Sequence, residues 1–132
     1  MTDQNAMTKK RTIALVGHCG PDAYMLRSTV STILKAGDVA MVNDDESLTS
    51  VATRGNLLLI NRVLDGRFAA ASGLDLIATL AGQPDPPTMM LVSNFEEAQR
   101  EAQARGAHPG FGKAEVGRKH TAQRLIDAFG AD

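Results

Sequence analysis

Short apolar runs recur along the chain, and the segments between them space their apolar residues three and four positions apart. The runs occupy residues 13–16, 39–42, 57–60 and 89–92, and a weaker one, interrupted by Gly110 and Gly112, spans residues 108–113. Continuous apolar runs of this length are typical of strands that are buried on both faces. The pattern therefore predicts five strands separated by amphipathic helices.

Turn and capping residues predict where the helices begin and end. The first helix is expected to begin at residues 20–22, where Pro and Asp suit a first turn, and to end at Gly37. Acidic residues 44–46 predict the start of the second helix, which is expected to end at Gly55. Three more helices are predicted over residues 73–81, 96–105 and 116–129, the last with Val116, Leu125, Ile126 and Phe129 facing inward.

The alternation of strands and helices predicts an α/β fold, a doubly wound parallel sheet with helices on both faces, as a single domain over residues 11–132. Residues 1–10 lack periodicity and the apolar segment of a secretory signal, so a flexible tail is expected there. In such a sheet the functional site lies at the carboxyl ends of the strands.

Composition excludes several classes of function. The 132 residues include 14 Lys and Arg against 15 Asp and Glu, a net charge of −1, whereas nucleic-acid binding by phosphate neutralisation needs a basic excess. The single cysteine, Cys19, leaves no internal disulfide and no cysteine-rich zinc site. No apolar run approaches the length of a membrane span. We therefore expect a cytoplasmic protein that binds neither nucleic acid nor membrane.

Candidate site residues are those that follow each predicted strand. They are Gly17, His18 and Cys19 after the first strand, Asn61 after the third, Ser93 after the fourth and Lys113 after the fifth. Because parallel strands end at one edge of the sheet, we expect these residues to lie close together.

The chain resembles the receiver domains of two-component response regulators over roughly residues 11–130. Four features carry the resemblance: a third apolar run that ends at Asn61, a helix start at Gly73-Leu74-Asp75-Leu76, Ser93 after the fourth run, and Gly106-Ala107 followed by Lys113 seven residues after Gly106. The resemblance implies a flavodoxin-like three-layer sandwich with strand order 2-1-3-4-5.

The resemblance also implies which residues should carry phosphotransfer, and this sequence departs from them. In receivers, a pair of acids after the first strand and an aspartate after the third hold Mg²⁺, which neutralises the phosphoryl group during transfer. Gly17 and His18 occupy the acid-pair positions, and Asn61 occupies the phosphoacceptor position. We therefore expect a pseudo-receiver that has lost aspartyl phosphorylation, binds Mg²⁺ weakly or not at all, uses no other cofactor or metal and is not an enzyme.

Other departures concern the partner surface. Ala114 replaces the proline that follows the family's lysine, Gly110 falls near the family's switch aromatic, and the connection from Asn61 to Gly73 is longer than usual. The resemblance implies docking of another signalling protein on the fourth helix, fifth strand and fifth helix, about residues 96–129.

Alternative functions remain open. Asp22 or Asp65 could reach the pocket and keep a working receiver, or Cys19 with the pocket residues could form a redox or small-ligand sensor. A small-molecule enzyme has only the fold in its favour, since no Gly-rich nucleotide loop is present. A nucleophilic triad of Ser93, His18 and an acid lacks the Gly-x-Ser-x-Gly elbow.

Structural roles compete with each functional one. Asn61 can tie neighbouring loops together, because an amide donates and accepts at once. His18 can be a polar partner for the start of the first helix, and Arg62 is expected to be solvated. Ser93 is expected to cap the following helix or bond backbone, and Lys113 to bond Asn61 or carbonyl groups; alternatively, the two could hold an anion. Core filling is expected of Met41, Met89 and Met90.

Overall fold

A parallel five-stranded sheet forms the centre of the computed structural model, which describes residues 11–35 and 38–130. The strands are β1 (Thr12–Val16), β2 (Asp38–Val42), β3 (Leu57–Asn61), β4 (Thr88–Val92) and β5 (His108–Phe111). Their order is β2-β1-β3-β4-β5, with every pair parallel. The predicted α/β fold and strand order are confirmed.

Within the described residues, five α-helices cover the two faces of the sheet. They are α1 (Gly20–Leu34), α2 (Asp45–Val51), α3 (Gly73–Ala81), α4 (Glu96–Ala104) and α5 (Lys119–Phe129). Alternate strand residues face opposite layers: Leu15 and Leu59 pack with α1 and α5, whereas Val16 and Ile60 pack with α2, α3 and α4. The result is a three-layer sandwich whose central strands are buried on both faces, which explains their uninterrupted apolar runs.

Strand register brings the strand ends together. Val16 of β1 lies beside Ile60 of β3, and Asn61 lies beside Val92 of β4. The residues after these strands therefore leave the sheet at the same edge.

Some local predictions are wrong. α2 ends at Val51 instead of Gly55, because the Asn56 amide bonds the carbonyl oxygen of Val51 and the chain turns there. A 3-10 turn, Lys113–Glu115, precedes α5, which begins only at Lys119. The expected stop at Gly37 lies outside the described residues; Lys35, with φ of 55°, forms the C-cap of α1.

Two apolar side chains predicted to face inward are exposed. Met41 is 50% exposed because β2 is an edge strand, while Met89 and Met90 fill the core as expected. Ile126 is 48% exposed, because α5 directs Leu125, Ala128 and Phe129 toward the sheet instead.

The long connection between β3 and α3, residues 62–72, is bonded to the start of α2. Arg67 N donates to Asn43 O (2.8 Å) and Ala69 N donates to Asp45 Oδ2 (2.9 Å). Gly66 allows this close approach with φ of +125°, since a Cβ there would lie 2.2 Å from Asn43 O. Across residues 11–35 and 38–130, none of the helices has both the length and the apolar character that a bilayer crossing requires.

Candidate functional site

His18 lies beneath the strand ends with only 2% of its surface exposed. Its Nε2 is 2.9 Å from the carbonyl oxygen of Leu59, an acceptor, so Nε2 carries the hydrogen. Burial lowers the pKa of His18 to about 4, which keeps the ring neutral. Within the described residues, Nδ1 is buried and has no hydrogen-bond partner. The predicted pairing of His18 with the start of α1 is therefore wrong: the ring bonds β3.

Gly17 joins three segments through its backbone. Its N donates to Val42 O, and its carbonyl oxygen accepts from Asp65 N, both at 2.9 Å. The residue has φ of +74°, and a Cβ would lie 2.7 Å from a methyl carbon of Leu64. Glycine is suited to this position because an L side chain would be strained in both conformation and space.

The amide of Asn61 ties the loops together. Asn61 Nδ2 donates to Gly17 O (3.0 Å) and to Val63 O (2.7 Å). A carboxylate could make neither bond, because it has no hydrogen to donate. The structural role expected for this amide is thus present.

Asn43 belongs to the same edge, although the sequence analysis does not identify it. Its Nδ2 donates to His18 O (3.2 Å) and Asp65 O (2.8 Å). Asn43 directly follows β2, so the rule that found the other strand-end residues would have found it too.

Lys113 faces an acid from α1. Its Nζ lies 2.5 Å from Asp22 Oδ2, and each side chain is about one-third exposed (30% and 33%). The hydrogen bond from Lys113 lowers the pKa of Asp22, assisted by a hydrogen bond with Cys19. The expectation that Lys113 bonds Asn61 or carbonyl groups is wrong, because α1 supplies a carboxylate. Asp65, by contrast, is exposed and contacts the site through its backbone.

A small cleft of about 230 Å³ opens between the ends of β3 and β4. Ser93 lies on its wall, and its Oγ accepts from Phe95 N (3.1 Å), so it bonds turn backbone and does not cap α4. The Arg62 guanidinium lies 4.8 Å from the centre of the Phe95 ring. Arg62 is half-buried and stacks on this exposed ring, so it is only partly solvated.

The remaining candidate residues have separate partners. Cys19 is exposed at the N-terminal end of α1, where it helps to lower the pKa of Asp22. His18 bonds Leu59, Ser93 bonds the turn and Asp22 bonds Lys113, so these side chains do not form a hydrogen-bonded nucleophilic triad.

The donor set does not fit a hard divalent cation, which takes oxygen ligands, chiefly carboxylates. Gly17 has no side chain, His18 presents a nitrogen to β3, and the Asn61 amide nitrogen faces two carbonyl groups. Among the residues that the structure describes, no three His, Cys, Asp or Glu side chains are grouped closely enough to hold a metal ion.

Sequence comparison gives no relative: no protein-family model matches the chain, and a search of the curated proteins gives no match. Comparison with solved structures does give matches.

The chain is similar to the signal receiver domain of a DNA-binding response regulator from Colwellia psychrerythraea 34H, with a TM-score of 0.67, 12% identity and coverage of 89% of this chain and 96% of that one. It is also similar to the receiver domain of NtrX from Brucella abortus, with a TM-score of 0.58, 22% identity and coverage of 92% and 99%. A third similar structure, the Mn(2+)-bound form of response regulator Rcp1, has a TM-score of 0.53, 16% identity and coverage of 90% and 93%. The chain thus has the fold of response-regulator receiver domains.

Proposed function

We propose that this chain is a receiver-like signalling module of the two-component type that has lost aspartyl phosphorylation and acts by contact with another protein. One observation carries the proposal. Gly17, His18 and Asn61 stand at the strand ends where the resemblance to receivers places three carboxylates, and none of them carries one. The His18 ring bonds Leu59 O, and the Asn61 amide nitrogen bonds two backbone carbonyl groups.

The chemistry of Asn61 supports loss of phosphotransfer. A neutral amide is a poor nucleophile, and the nitrogen of this one donates to two backbone carbonyl groups. Lys113, which would otherwise face the phosphoryl group, is paired with Asp22. Gly17, His18 and Asn61 therefore supply neither carboxylate ligands for a metal ion nor the anionic acceptor that in-line transfer needs.

We propose that the partner docks on the surface formed by α4, β5 and α5, residues 96–129. Ion pairs such as Glu101–Arg105 keep the outer face of α4 polar. A polar surface suits a reversible contact with a partner better than a permanent apolar interface. We further propose that the chain works in the cytoplasm, with neither nucleic acid nor membrane as partner and no catalytic activity of its own.

Beryllofluoride with Mg²⁺, a mimic of the phosphorylated state, tests this function. In ¹H–¹⁵N spectra, the amide signals of Gly17, Asn61 and Ser93 should not move, and acetyl phosphate with Mg²⁺ should add no phosphoryl mass to the protein. Mg²⁺ alone should leave the melting temperature unchanged, because only a ligand that binds the native state stabilises it. Saturable shifts at these amides, or a phosphorylated species, would contradict the proposal.

A working receiver with a displaced acid is the second candidate, and the Lys113–Asp22 contact favours it. Asp22 has the carboxylate nearest to the lysine, at 2.5 Å. In this case an oxygen of Asp22 would attack the phosphorus of acetyl phosphate and release acetate. Phosphorylation that is lost in Asp22→Asn but retained in Asp65→Asn would establish this candidate; no phosphorylation of the unmodified chain would exclude it.

A further inference from the structure

The amide of Gln99, on α4, connects two strands through one nitrogen. Gln99 Nε2 donates to Leu91 O (2.9 Å) in β4 and to Ser93 O (3.1 Å) in the turn that follows. The same nitrogen lies 3.3 Å from Phe111 O at the end of β5. Three surrounding acceptors fix the orientation of the amide, because its oxygen would be repelled by them.

Gly110 provides the space that this amide occupies. A Cβ at Gly110 would lie 2.7 Å from Gln99 Oε1 and 2.1 Å from Leu91 O. Within the described residues, Oε1 is buried and has no hydrogen-bond partner. A buried acceptor without a partner lowers stability, so this arrangement is maintained against an energetic cost.

A second amide reinforces the first. Asn94 Oδ1 accepts from Ala114 N (3.1 Å), and Gly112 passes so close that a Cβ would lie 2.0 Å from that oxygen. Ser93 N donates to Phe111 O (2.9 Å) between the two amides. The turn at residues 93–95 is therefore bonded both to the end of β5, through Ser93, and to the 3-10 turn that follows β5, through Asn94.

We infer that Gln99 is a positioning residue that holds the turn at residues 93–95 in one conformation, so that the surface of α4, β5 and α5 keeps its shape whatever occupies the strand-end site. Arg124 extends the connection to α5, since its Nη1 donates to Gly110 O (2.6 Å). The inference rests on the proposed function only for the importance of that surface.

Amide hydrogen exchange, measured by NMR on the whole chain, tests the role of Gln99. Gln99→Glu replaces the donor with a carboxylate that faces three carbonyl oxygens. Gln103→Glu is the matched control, because Gln103 lies one turn later on α4, is exposed and makes one long bond, to Gln99 O (3.4 Å). Protection of the Ser93 and Ala114 amides, taken relative to that of Leu58 in the core, should fall at least tenfold in Gln99→Glu and stay within twofold in Gln103→Glu.

If Gln99→Glu does not fold, Gln99→Met, which removes the donor without adding charge, takes its place. An unchanged ratio in the variant that folds would overturn the inference, since Gln99 would then contribute only to global stability. Relaxation dispersion at Phe95 should be flat in the unmodified chain and present in the Gln99 variant; dispersion in the unmodified chain would overturn the inference as well. These measurements use no phosphoryl mimic, so they can fail independently of the proposed function.

Discussion

Lys113 Nζ and Asp22 Oδ2 form an ion pair that joins the 3-10 turn after β5 to the first turn of α1, across 91 residues of sequence. The pair gives the strand-end site a counter-ion for its lysine without any acid at the positions after β1 and β3. The positive charge of Lys113 is therefore balanced by a carboxylate on α1 and not by one at the ends of the strands.

Breaking this ion pair should have a modest effect on stability. Both side chains are about one-third exposed, so Asp22→Asn should lower the free energy of unfolding by roughly 1 kcal/mol or less. Lys113→Met should cost a similar amount, and the double variant little more than either single one. Urea unfolding of the unmodified chain, the two single variants and the double variant at pH 7 measures the coupling between the two side chains. Because Lys113 lowers the pKa of Asp22, the coupling is present above about pH 4 and is lost as the pH falls through the native pKa.

His18 should make stability depend on pH between about 6.5 and 4. The unfolded chain binds a proton at His18 below about pH 6.5, whereas in the native chain burial lowers the pKa to about 4. Stability should therefore fall as the pH drops through this window, by about 3 kcal/mol in total.

The variant His18→Gln keeps a donor for Leu59 O and removes the titration, so its unfolding free energy should be flatter over the same pH range. An equal slope in His18→Gln and the unmodified chain would contradict the assignment.

Replacing Asn61 with aspartate should destabilise the site without restoring phosphorylation. Asn61→Asp removes the donor to two carbonyl oxygens and places negative charge against them, at a cost of about 2 kcal/mol or more. Asn94→Asp is the control, because the oxygen that accepts from Ala114 N is retained. Urea unfolding compares the variants, and mass spectrometry after treatment with acetyl phosphate and Mg²⁺ should detect no phosphorylated Asn61→Asp protein.

A methyl group at Gly73 should disrupt the packing of α3 against the end of β3. A Cβ there would lie 2.1 Å from Asn61 O, a backbone atom that cannot easily move, so Gly73→Ala should cost about 1–3 kcal/mol. At the other end of α3, Gly82→Ala meets no atom nearer than 3.5 Å and should change stability by about 0.5 kcal/mol or less. Similar unfolding midpoints for the two variants would refute this explanation.

Strands were the most predictable part of the molecule, because a strand covered on both faces has no polar positions along its length. The run at residues 57–60 and the observed β3 (Leu57–Asn61) differ by one residue. Helix faces were less predictable. The helical spacing alone would allow one side of α5 that faces the sheet to include residues 125, 126, 128 and 129. Only the packing of α5 against the sheet leaves Ile126 exposed.

The candidate site was predictable as a location but not as a set of contacts. Parallel strands that end together dictate that Gly17, Asn61 and Ser93 share an edge. The partner of Lys113 depends on how far the first turn of α1 reaches across that edge, which no local pattern in the sequence encodes. The three-carbonyl contact of Gln99 was equally inaccessible, because it requires β4, β5 and α4 to be in place at once.

The connection between β3 and α3 is irregular in shape yet fastened to its neighbours through Arg67 N and Ala69 N. A stretch of backbone must unfold locally before a protease can cut it. These bonds should therefore protect the basic residues of this connection from trypsin. The segment at residues 84–86, which is exposed and links α3 to β4, should tolerate an inserted reporter peptide better than the connection between β3 and α3.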